Sequence, residues 1–116
     1  MKIEITEKDI NKGIGGDCNH CAVAIALKRY FNTYDVYVGC PEGEPTTIQI
    51  NKKVIKISEE YQKIVDQFID DFDNYGDYKS VGIGIPKPKP FSFEIEEVRW
   101  LKKKIGTSYL KKNKMN

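Results

Sequence analysis

At 116 residues, 40% hydrophobic and 31% charged, the chain is long enough for one core and too short for two. No apolar run approaches the roughly eighteen residues that a membrane span requires, and an odd complement of three cysteines excludes a complete disulfide framework. The net charge of +2 hides a split: residues 98–116 hold seven Lys and Arg and no acid, while residues 1–97 carry an excess of acid.

The opening "KIEIT" alternates Ile3 and Ile5 with charged neighbours, the pattern of a half-buried strand. Thr6 and Asp9 stand at capping-box spacing and Gly13 supplies a stop, which predicts a short helix over residues 7–12. A longer helix is expected from about Asn19 to Phe31. It has no polar stripe before Lys28, so more than one side must be covered. "DVYVG", "TTIQI" and "KVIKI" read as three antiparallel strands, the last two joined by a hairpin at "NK".

Ser58 caps a further helix with Glu59 and Glu60 in its first turn, and Tyr61, Ile64, Val65, Phe68 and Phe72 form its apolar face. Its other side carries Asp66, Asp70, Asp71 and Asp73, read as a solvated acidic face. The helix is expected to end near Asn74 to Gly76. "KSVGIGIPKPKP" is a loop with an extended Pro-Lys stretch, "FSFEI" a last strand, and residues 98–116 a basic helix. The expected fold is α+β: a single domain with a mixed or antiparallel sheet of about five strands, two main helices and a basic C-terminal helix. Residues 1–97 would be the core domain and 98–116 a helical extension.

Chemistry-bearing residues concentrate in "GIGGDCNHC". Cys18 and Cys21 have the spacing of half a zinc site, with Cys40 as a further candidate ligand, but no second pair completes the set. A thiol-redox motif normally follows a strand, whereas a helix and a glycine loop precede this one. Gly13, Gly15 and Gly16 before a helix start would suit an anion cradle. That loop lacks the Lys-Ser/Thr of a P-loop, and Asp17 is read as the helix cap or its neighbour. No metal and no cofactor are expected. Tyr75, Tyr78, Phe91, Trp100 and Tyr109 are candidates for stacking on a base, and Lys79, Lys87, Lys89 and Arg99 for meeting phosphates.

The segments "KDINKGIGGDCNHCAVAIAL", "DVYVG", "ISEEYQKIVDQFIDDFD" and "KPFSFEIE" together resemble a group of small phage and prophage proteins with no assigned activity. These carry a glycine loop, a Cys-(Pro)-Val-Ala helix and a Pro-Phe-x-Phe strand. Ala22 stands where proline is common, and the likeness covers residues 1 to about 97. The resemblance implies a viral or prophage accessory protein and transfers no functional residue.

The resulting expectation is a non-enzymatic protein of the host-cell cytoplasm that sequesters a nucleotide-derived immune signal and so counters host defence. It would work as a homo-oligomer away from membranes. Gly15, Gly16, Asn19, His20, Lys79, Lys87, Lys89, Arg99 and Trp100 are the expected ligand-binding residues. The alternative is a nucleic-acid-binding protein, or an inhibitor of a host nucleic-acid enzyme, acting through the basic C-terminal segment. A third reading is an enzyme with Cys18 as nucleophile.

Overall fold

The structure, a computed structural model, describes residues 1–39, 44–80, 82, 84 and 86–96, with backbone alone for 76–80. The expected C-terminal helix and the candidates Cys40, Arg99, Trp100 and Tyr109 lie outside the described residues.

β1 (Lys2–Ile5) pairs antiparallel with β5 (Phe91–Glu94), placing Ile3 opposite Phe93 and Ile5 opposite Phe91. Ile3, Ile5 and Phe93 are all buried, so the period-2 pattern marks the inward face. α1 (Glu7–Lys12) begins on the expected capping box. Asp9 N–H donates to Thr6 Oγ1 (3.2 Å), and Thr6 N–H donates to Asp9 Oδ2 (2.9 Å). The other Asp9 oxygen, in a side chain only 2% exposed, accepts from the Arg29 guanidinium. Arg29 also donates to the Glu4 carbonyl at 3.2 Å, so one side chain joins the start of α1 to the outer edge of β1.

α2 (Ala22–Phe31) buries Ala22, Val23, Ala24, Ala26 and Leu27 completely, as its missing polar stripe requires. It packs against α1, β1 and β2. β2 (Val36–Gly39), β3 (Thr47–Ile50) and β4 (Lys53–Ile55) form an antiparallel meander. Its tight turn holds Asn51 and Lys52 at φ 53° and 68°, the left-handed pair a two-residue hairpin needs.

The five strands are divided between two antiparallel sheets, β1-β5 and β2-β3-β4. An isolated bridge between Ile57 and Ile95 joins them, flanked by Ser58 N–H to Glu94 carbonyl (2.9 Å) and Glu96 N–H to Lys56 carbonyl (2.8 Å). The whole is one α+β body, and among its described residues no helix is long and apolar enough to cross a membrane.

α3 (Glu59–Ser80) lays Val65, Phe68, Ile69 and Phe72 on the core. It runs past the expected end near residues 74–76, because glycine stops a helix by turning left-handed, and in mid-helix costs only about 1 kcal/mol. Gly76 stays helical; the left-handed glycine near the end of α3 is Gly82, at φ 80°. The acidic side of α3 is also more than a solvated face. Asp66 accepts from Thr46 N–H (2.8 Å) and from Gln62 Nε2 (3.0 Å), fixing the entry to β3. Asp73 bonds the glycine loop.

Candidate functional site

The loop between α1 and α2 closes on itself. Ile14 N–H donates to the His20 carbonyl (2.8 Å), and His20 N–H donates to the Asp17 carbonyl (3.1 Å). Asp17 Oδ1 accepts from the N–H groups of Asn19 (3.0 Å) and His20 (3.1 Å), and lies 3.0 Å from His20 Nδ1. The Asn19 N–H first, and the His20 side chain second, hold the Asp17 carboxyl below its ordinary value.

This Asx-type turn competes with helix formation. It explains why α2 begins at Ala22 rather than near Asn19, and why its N-cap is Cys21 and not Asp17. Gly16, at φ 77°, turns its N–H onto Asp73 Oδ1 at 2.8 Å. The N–H groups of Gly16, Asn19 and His20 thus already face carboxylates, and an incoming phosphate would have to displace them.

Asn19 has a second task. Its Nδ2 donates to the Val36 carbonyl (3.0 Å), while Val38 N–H donates to the Cys18 carbonyl (2.8 Å). The turn therefore covers the outer edge of β2, which would otherwise present open pairing groups. Both described cysteines are free: Cys21 is buried and Cys18 half-buried. Burial pushes the Cys21 thiol up to about 11, against the pull of the Ala24 and Val23 N–H groups. The neighbouring Cys18 side chain raises the Tyr37 hydroxyl above its ordinary value. Among the described residues, no group of three or more His, Cys, Asp or Glu is placed to hold a metal ion.

Among the described residues, clefts adjoin α3 at three places. An open groove of about 460 Å³ runs between α3 and residues 88–91, a size usual for small-molecule sites. Lys63, Ile64, Gln67, Phe68 and Asp71 make one wall, and Pro88, Lys89, Pro90 and Phe91 the other. The Phe68 and Phe91 rings meet with centroids 4.5 Å apart, and each continues inward through another ring, Phe72 and Phe93 respectively. The apolar floor is thus continuous with the aromatic part of the core. Gln67 Nε2 donates to Asp71 Oδ1 at 2.9 Å on the rim. A second cleft, of about 170 Å³, includes Asn11, Gly15, Tyr75 and Lys87. Lys87 Nζ donates to Asn11 Oδ1 and stands 3.8 Å from Glu7. A third, of about 120 Å³, includes Gly16, Asp17, Cys18, Cys21 and Asp73.

The candidate residues are therefore dispersed. Lys89 and Phe91 line the groove, Gly15 and Lys87 the second cleft, and Gly16 the third, while Asn19 and His20 belong to the turn beside it. Lys79 lies on α3, in the stretch described by backbone alone. Sequence reasoning missed Lys63, Ile64, Gln67 and Phe68 as a wall. The available signal was the i, i+4 ridge Lys63–Gln67–Asp71 beside Ile64–Phe68, with Ile64 half exposed on a face read as wholly core. Comparison with known protein families, curated proteins and solved structures found no match. The functional reading accordingly rests on the geometry of the groove.

Proposed function

We propose that this chain is a non-enzymatic binding protein that holds a nucleotide-type ligand in the groove between α3 and residues 88–91. The observation that carries the reading is an aromatic floor, in which the half-buried Phe91 is backed by the buried Phe68, flanked by a lysine from each wall, Lys63 and Lys89. A planar base gains stacking on such a floor, and an ammonium group meets a phosphate with a charge-assisted hydrogen bond. Asp71 offers an acceptor of the kind an exocyclic amine requires. Given the phage-like features of the sequence, the biological use would be withdrawal of a nucleotide-derived signal from host defence.

The test is titration calorimetry of the purified chain with mononucleotides, cyclic dinucleotides and ADP-ribose at low salt, followed by analysis of the recovered ligand. Saturable heat with one of these, and ligand returned unchanged, is the expected result. No heat with any of them, or accumulation of product beyond one equivalent per chain, overturns the proposal. Binding of an oligonucleotide alone, with affinity falling steeply with salt, would favour the nucleic-acid reading instead.

A further inference from the structure

The third cleft brings together two thiols to which the proposed ligand binding gives no task. Cys18 and Cys21 are three positions apart, across the turn closed by His20 N–H on the Asp17 carbonyl, and both line the same space of about 120 Å³. They differ in access: Cys18 is half-buried and Cys21 only 5% exposed. The remaining walls are Gly16, Val38 and Ile69 with the carboxylates Asp17 and Asp73. The space suits two sulfurs and a small substituent, and its charge favours a cationic reagent over an anionic one.

We propose that Cys18 and Cys21 form a redox dithiol, closing to an intramolecular disulfide by exchange with a small cationic disulfide. Cys18 is the attacking group and Cys21 the resolving one. The Cys18 sulfur attacks one sulfur of the reagent, forming a mixed disulfide and releasing the first thiol. The Cys21 sulfur then attacks the Cys18 sulfur, forming the Cys18–Cys21 bond and releasing the second thiol. The proton given up by each cysteine ends on the thiolate released in that step. Two cysteine thiols are thereby oxidised and one reagent disulfide is reduced to two thiols. Burial of Cys21, the N-cap of α2, makes the second step depend on opening of the turn and slower than the first.

The test uses the full chain carrying Cys40→Ser, so that the third thiol contributes nothing, with cystamine as the reagent and intact mass as the readout. The expected product has lost two hydrogens and carries no adduct. Adding Cys21→Ala, a small apolar replacement whose folding is checked by circular dichroism, should trap a single cysteamine on Cys18. Glutathione disulfide at equal concentration should react several-fold more slowly than cystamine. A stable cysteamine adduct without ring closure in the Cys40→Ser chain overturns the proposal, as does a folded chain whose thiols do not react. Should the Cys21→Ala chain fail to fold, the mass of the Cys40→Ser product alone decides.

Discussion

Asp73 Oδ1 accepts the Gly16 N–H at 2.8 Å across 57 positions of sequence, so a carboxylate from α3 occupies the place a glycine loop offers an anion. The bond joins the loop to a helix far away in the chain and leaves Gly16 in its left-handed conformation. Asp73→Ala should therefore loosen the loop without disturbing the core side of α3. The expected loss is about 1 kcal/mol in urea unfolding, the usual net worth of one such bond. Amide exchange at Gly16 should accelerate by at least about fivefold, and unchanged exchange there would show that the bond does not hold the loop.

The 17–20 turn should respond to acid. Asp17 is held below its ordinary value of 3.8 by the Asn19 N–H and the His20 side chain. A carboxyl depressed in the folded state stabilises fully above its unfolded value, and that contribution disappears as pH falls through the lower folded value. The amide resonances of Asn19 and His20 should titrate together with a midpoint below 3.8. A shared midpoint above 3.8 would contradict the turn as described.

Gly13 ends α1 where a Cβ would sit 2.6 Å from the Ala22 backbone nitrogen and 2.8 Å from Phe72 Cζ. The backbone nitrogen cannot yield as a flexible side chain would, so Gly13→Ala must push α1 away from α2. Overpacking of this kind costs about 1–3 kcal/mol. Gly16→Ala meets no atom within 4 Å and costs only the left-handed backbone, about 1–2 kcal/mol. Thermal unfolding of the two variants should place Gly13→Ala at or below Gly16→Ala. Restoration of Gly13→Ala by Phe72→Leu would show instead that the ring is the obstacle.

Legibility in the sequence follows the range of the interaction. The Thr6–Asp9 box, the Asn51-Lys52 turn and the burial of Ile3 and Ile5 depend on neighbours within a few positions, and each was readable from spacing. The end of α3 was misplaced because Gly76 alone does not reveal whether it will turn left-handed. The parts that make a site depend on distant partners. Asp66 and Asp73 looked like ordinary helix-surface acids until Thr46 and Gly16 arrived beside them. The groove exists because β5 returns beside β1, bringing residues 88–91 along α3, and no local pattern encodes that approach.

That approach separates two residues that the sequence treats alike. Lys87 and Lys89 alternate with prolines in one stretch, yet Lys87 turns to Asn11 and Glu7 beside the second cleft while Lys89 lines the groove. The ion pair of Lys87 with Glu7 is exposed and contributes little to stability. Reversal to Glu at either position should leave the unfolding midpoint nearly unchanged. For a nucleotide held in the groove, Lys89→Glu replaces attraction by repulsion and should weaken binding at least tenfold, about 1.4 kcal/mol. Lys87→Glu should change it by less than about threefold, because the segment turns that side chain into a different cleft. Equal losses at the two positions would place the ligand over the Pro-Lys stretch rather than between its walls.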